Sequence, residues 1–299
     1  MFNRFIKYLN TKDKIKHNKK EKFILSKERK EYIKNGYIPW SKGYYEYKKD
    51  FITNSIYDEN LLKNIKNSTS LKDHGYRLDE RVIEYPWIFS KIGSNKLKML
   101  DAGSTFNYDY ILNHPVLENK DLTILTFAPE ENCFHEKRIS YVYDDLRSLP
   151  FKNELFDVIV SQSTIEHIDM DNSIYGYDIE YNENDKRKSF EYIKAIKEMI
   201  RVLKPKGQLL LTFPFGKFEN HGFFQQFDDK MLLKTVKLFE NLGIYEIDFF
   251  RYDQEGWCFA NMDELKDVVS YNPHSGKGKL NDGAAHCRSI ACINFIKNR

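Results

Sequence analysis

Between Lys98 and Asn107 the chain reads KMLDAGSTFN. An apolar run ends in Asp101 and opens at Gly103 into small residues. Buried parallel strands present an acid and a bare backbone to a nucleotide-type ligand in this way, because glycine permits close approach and the following helix aims its N-terminus there. A dinucleotide fingerprint needs two further glycines, but Ser104, Thr105, Phe106 and Asn107 stand in the loop instead. More polar residues close the next apolar runs. Thr126, Phe127 and Glu130 follow the second, Asp145 and Leu146 the third (YVYDDLRSLPF), and Ser161, Gln162, Ser163 and His167 the fourth (FDVIVSQSTIEHI). Ligands of open α/β sheets lie beyond the carboxyl ends of the strands, so this is where a nucleoside could be held. A histidine with an ordinary pKa of about 6.5 suits proton removal from an acceptor, which makes His167 a candidate general base. Its other reading is a loop-packing histidine paired with Glu166. His221, in the loop after FPFG, is a second catalytic candidate.

These residues need a sheet to converge. Short apolar runs alternate with longer amphipathic segments from residue 96 onward, the pattern of a parallel sheet covered by helices. Strands are expected at Leu97–Asp101, Leu122–Phe127, Ile139–Tyr143, Phe156–Ser161 and Gln208–Phe213, then Ile244–Tyr252 and Ser289–Ile296. Helices are expected at Ser189–Leu203 and Asp228–Leu242, the first ending in a Lys204-Pro205-Lys206-Gly207 turn.

The series LDAGS, D-x-x-x-LPF, FDVIV, EH and RVLKPKG resembles, in order and spacing, the class I S-adenosylmethionine-dependent methyltransferases, in particular their small-molecule group. The resemblance rests on motifs over residues 96–215 and on topology alone over 215–299. The wider pattern DERVIEYPW, LDAGSTFN, YVYDDLRSLPF and STIEHIDMDN is similar to methyltransferases of bacterial surface-polysaccharide (capsule) biosynthesis. This resemblance implies an α/β fold, a doubly wound, mostly parallel seven-stranded sheet of Rossmann-like type with an N-terminal helical cap. It implies S-adenosyl-L-methionine as cofactor, with Asp101, Gly103 and Ser104 on its methionine and ribose side. Thr126 occupies the place of the usual ribose acid, with Glu130 as a substitute. Asp145 and the backbone of Leu146 would meet the adenine edge, and Ser161 and Ser163 would line the cofactor and face the acceptor. Two departures stand out: one loop glycine remains of three, and the ribose acid is displaced.

Composition sets the remaining bounds. Of 299 residues 41% are hydrophobic and 30% charged, ordinary for a globular protein large enough for one α/β domain with additions. The 20 Tyr and 22 Phe fit an AT-rich coding sequence or, alternatively, stacking on a carbohydrate. Cys133, Cys258, Cys287 and Cys292 show no metal-ligand spacing, so reduced thiols in a cytoplasmic protein are expected and no metal site is assigned. Asp169, Asp171 and Asn172 are hard oxygen donors that could bridge a divalent cation, or simply cap a loop. Residues 1–34 carry twelve basic and four acidic side chains, while the other 35 basic and 40 acidic residues leave the body negative. The domains read as a basic helical arm (1–35), an aromatic-rich cap (36–95) and a methyltransferase domain (96–299) with a substrate-loop insertion around 253–286.

The expected reaction is O-methylation of a small polar acceptor: a sugar, a nucleotide-linked sugar or a phosphate-type group. The body lacks a basic stripe, so no nucleic-acid partner is expected, whereas the arm could touch an anionic membrane surface weakly. Two other readings stay open. One is an RNA or protein methyltransferase docking through the arm; the other is a non-catalytic scaffold subunit with the same fold. Nothing in the chain sets the oligomeric state.

Overall fold

The computed structural model describes residues 27–173 and 187–298. Most of the basic arm, residues 1–26, lies outside the described residues, and 27–34 are helical. Three helices follow: α1 (Tyr44–Tyr57), α2 (Glu59–Lys66) and α3 (Arg81–Lys91). The chain then runs through β1 (Leu97–Ala102), α4 (Asp109–Leu112), α5 (Pro115–Glu118), β2 (Lys120–Thr126), β3 (Ser140–Tyr143) and β4 (Phe156–Gln162). Next come α6 (Tyr192–Val202), β5 (Leu203–Pro214), the short ribbon β6 (Glu219–Asn220) and β7 (Gln225–Gln226), and α7 (Asp229–Lys237). Strands β8 (Gly243–Asp253), β9 (Gly256–Ala260) and β10 (Ser289–Lys297) complete the fold.

The main sheet has the order β3-β2-β1-β4-β5-β10-β8-β9. Pairing is parallel from β3 to β5, and β10 is antiparallel to both β5 and β8. The seven strands expected from sequence are all present, and β9, from the start of the 253–286 segment, adds an eighth as a hairpin on β8.

Alternation along the strands shows why both faces are covered. Met99, Val158, Val160, Leu210 and Ile290 point into one core with Trp87, Ile88 and Ile52 of the N-terminal helices. Their neighbours Leu100, Ile159, Leu209, Leu211 and Ala291 point into a second core with Ile196, Met199 and Leu232 of α6 and α7. A strand buried on both faces reads as a continuous apolar run, and each fully buried Leu, Ile or Phe contributes about 1.5–3 kcal/mol. The aromatic-rich cap is therefore one layer of the same three-layer body. Gly103 and Ser163 end β1 and β4, the two strands between which the winding direction reverses.

Two local details differ from expectation. Residues 204–207 form no turn ahead of β5: Phe156 pairs with Leu203 and Val158 with Gln208, so four residues loop out within the strand, with Lys206 at φ 62°. Helix α7 stops at Lys237 rather than Leu242, and Asn241 takes a left-handed φ of 64° before β8. Helix α3 holds Pro86 in its interior, which leaves the Val82 carbonyl without its helical N–H. His74 Nε2 donates to that carbonyl at 2.8 Å, and the helix continues.

Candidate active site

A cavity of about 1280 Å³ lies at the carboxyl ends of β1 to β4. Its floor is built by the loops after these strands, and its roof by Tyr45, Lys48 and Lys49 of α1 with Arg81 and Tyr85 of α3.

The loop after β1 explains its own missing glycines. Asp101, fully buried, accepts hydrogen bonds from Thr105 N (3.2 Å), Thr105 Oγ1 (3.1 Å) and Phe106 N (2.8 Å). Glu130, from the loop after β2, reaches back to accept from Ser104 Oγ and Asn107 Nδ2, each at 2.8 Å. Side-chain hydrogen bonds thus hold a backbone path that other nucleotide loops obtain from glycine. Gly103 itself cannot be replaced, because φ is +134° and a Cβ would lie 2.6 Å from Thr164 Cγ2 and closer still to its Oγ1. Burial pushes the Asp101 carboxyl up to about 7, against the three hydrogen bonds that favour its charged form.

After β3, Asp145 is held by Arg147, whose Nε donates at 3.0 Å and Nη2 at 2.7 Å, while its backbone N donates at 2.8 Å. Partial burial would raise this carboxyl, but the Arg147 hydrogen bonds and charge keep it below its usual value. Asp145 therefore stays ionised at the cavity wall and keeps acceptor capacity for a ligand amine.

After β4, the imidazole of His167 is fixed by the loop that carries Phe223, whose carbonyl lies 2.7 Å from Nδ1. A carbonyl only accepts, so Nδ1 carries the proton and Nε2 is the basic nitrogen. Burial lowers the His167 pKa to about 4, so the ring is neutral at pH 7. Beside it, Arg81 spans from α3 to the end of β4. Its Nη1 donates to Glu84 Oε2 (3.0 Å) and Gln162 O (3.2 Å), and its Nη2 to Ser163 O (3.4 Å). Glu84, fully buried, also accepts from Ser163 Oγ and from Thr212 Oγ1 at 2.6 Å, which ties the cap helix to β4 and β5.

Seven residues singled out in the sequence as cofactor ligands, Gly103, Ser104, Thr126, Glu130, Asp145, Leu146 and Ser163, line the cavity, as does His167. Three do not. Asp101 lies beneath the loop and organises it, and Ser161 is fully buried inside β4. His221 belongs to the β6–β7 ribbon, where its ring stacks on Phe224 at 4.6 Å and 5° and Nε2 lies 2.9 Å from Glu219 Oε2, and it is not among the cavity-lining residues. Each member of the hard-oxygen cluster has local hydrogen-bond partners. Asp169 accepts from Ser189 Oγ, Asp171 accepts from Ser173 N, and the Asn172 amide donates to the His167 and Met170 carbonyls. Arg81 and Glu84 received no role from the sequence. The available signal was two charged side chains on an otherwise apolar helix, RVIEYPWIF.

The donor set suits S-adenosylmethionine. The cofactor carries a sulfonium, an ammonium, a ribose diol and an adenine amine, and Glu130, Asp144 and Asp145 offer carboxylate acceptors around the cavity. The fold is a doubly wound α/β sheet with its cavity at the switch point, where ligands of such sheets lie.

Residues 121–211, from β2 to most of β5, match the family profile described as a methyltransferase domain. No curated protein matches the chain in sequence. Among solved structures, the N-methyltransferase NodS from Bradyrhizobium japonicum WM9, in complex with S-adenosyl-L-homocysteine, shares 13% identity at a TM-score of 0.42, covering 84% of this chain and 99% of its own. The YcgJ protein from Bacillus subtilis shares 14% identity at a TM-score of 0.40, covering 68% of this chain and 93% of its own. The [4+2]-cyclase SpnF shares 16% identity at a TM-score of 0.41, covering 80% of each chain. The matched segment, a methyltransferase domain in its family profile, carries the strand ends that build one side of the cavity. No helix among the described residues is long and apolar enough to cross a membrane.

Proposed function

We propose that the enzyme methylates a hydroxyl of a small polar acceptor, a sugar or nucleotide-linked sugar, in the cytoplasm during surface-polysaccharide assembly. The observation that carries the reading is His167, a neutral imidazole at the cavity wall whose tautomer is set by Phe223 O at 2.7 Å. When bound, S-adenosylmethionine supplies an electrophilic methyl group on a sulfonium. An acceptor hydroxyl would have to lose a proton on methylation, and His167 Nε2 would take it. In this reading Arg81 would take the cofactor's carboxylate and Asp145 its adenine amine. Glu130 replaces the usual ribose acid while bracing the Ser104 loop.

The roof supports a ring-bearing, anionic acceptor. Tyr45 of the roof faces a cavity also lined by Tyr108 and Tyr110 from the segment after β1, Lys49 Nζ sits 5.6 Å from the Tyr110 ring centroid, and Lys48 Nζ sits 5.3 Å from that of Tyr45. The surface-polysaccharide context rests on the sequence resemblance. Methyl-labelled cofactor incubated with the enzyme and, separately, a nucleotide-sugar pool, total RNA and a protein extract tests the reading. Label should enter the nucleotide-sugar fraction and be lost in His167→Gln. Label in RNA or protein instead would overturn it.

A further inference from the structure

The structure assigns a thiolate–imidazole–carboxylate site for a zinc-class divalent cation to Glu80, His286 and Cys287, away from the methyl-transfer cavity. Glu80 sits at the N-terminus of α3, and His286 and Cys287 precede β10 with only Arg288 between. One potential ligand atom from each lies within 4.8 Å of the other two. Glu80 Oε1 is 3.0 Å and Cys287 Sγ 3.1 Å from the same nitrogen, His286 Nδ1, and Cys287 N donates to Glu80 Oε2 at 3.3 Å.

That crowding is difficult to satisfy with protons. Nδ1 has a single position, either a proton or a lone pair. As a donor it serves Glu80 and must share its one proton with the sulfur; as an acceptor from the thiol it turns a lone pair toward the carboxylate. A divalent cation removes the conflict, because all three groups then point lone pairs at one centre. The charges also balance, one thiolate and one carboxylate against a double positive charge, which matters where Glu80 is 5% and Cys287 1% exposed. A sulfur ligand excludes magnesium and calcium, and sulfur with imidazole and carboxylate selects zinc or a neighbouring transition ion. Three protein ligands leave a fourth position for water. None of the three residues lines the large cavity, so the ion would clamp the cap helix to β10 and fix Arg81, the residue after Glu80, over the end of β4.

Cobalt(II) titration of the full-length metal-free protein tests this, with metal content of freshly purified protein measured by mass spectrometry. One equivalent of metal per chain and a near-ultraviolet thiolate-to-cobalt band are expected. The band should vanish in Cys287→Ser, persist in Cys292→Ser and Cys133→Ser, and appear at least about tenfold weaker in affinity in Glu80→Gln. Zinc should raise the melting midpoint of the wild type and not of Cys287→Ser. A wild-type protein with no thiolate band, or a band that survives in Cys287→Ser, would overturn the assignment. The wild-type spectrum decides alone should a variant fail to fold.

Discussion

Gly103→Ala tests the central steric statement about the cofactor loop. Two separable costs arise. A non-glycine residue at φ +134° carries backbone strain of about 1–3 kcal/mol. The new methyl also drives into Thr164, with Cγ2 at 2.6 Å and Cβ at 2.8 Å, and overpacking of this kind costs about 1–3 kcal/mol. Together they give about 4 kcal/mol. For a chain of 299 residues this corresponds to a fall of about 6 °C in melting midpoint. Thr164 belongs to the loop after β4, so relaxation would also move Ser163 and Ser104 at the cavity wall. S-adenosylhomocysteine affinity measured by calorimetry should therefore fall at least about tenfold. A double-mutant cycle with Thr164→Gly separates the two terms. Removing the Thr164 side chain should recover the overpacking part, about 1–3 kcal/mol, and leave the backbone strain. A Gly103→Ala protein that melts within about 2 °C of wild type would refute the steric argument. Full rescue by Thr164→Gly would refute the strain term.

Two further outcomes follow from the site. Asp145→Ala should weaken S-adenosylhomocysteine binding at least about tenfold in calorimetry, since a charge-assisted hydrogen bond is lost, and unchanged binding would displace the adenine site from β3. His167 links stability to pH: its folded pKa of about 4 lies below an unfolded value of about 6.5. The unfolded chain alone binds the proton between these values, so its contribution is complete above pH 6.5 and is lost as pH falls toward 4, on the order of 3 kcal/mol. Denaturant titrations from pH 7 to 4 should show a shallower decline in His167→Gln, and the acid limb of kcat/KM in the wild type should lie below about pH 5. An acid limb near pH 6.5 would show that His167 is not the base.

Local pattern made much of this protein legible from its sequence. Side chains alternate with period two along a strand, so runs such as KMLDA and DVIVS announce strands buried on both faces, and the polar residues that end them must fall on one edge of the sheet. That is why Gly103, Glu130, Asp145, Ser163 and His167 are expected on that edge, and all five line the cavity there. What escaped the sequence depends on contacts between distant segments. Glu130 meets Ser104 across 26 residues, and His167 takes its tautomer from a carbonyl 56 residues on. Arg81 reaches Gln162 across 81 residues, and Glu80 meets His286 across 206. His221 has the composition of a catalytic residue, and only the packing of the β6–β7 ribbon turned it onto Phe224. Periodicity encodes which face of its own element a residue takes. Which foreign atom waits on that face is decided when the layers pack, and the proton positions and charge states of the site follow from that packing.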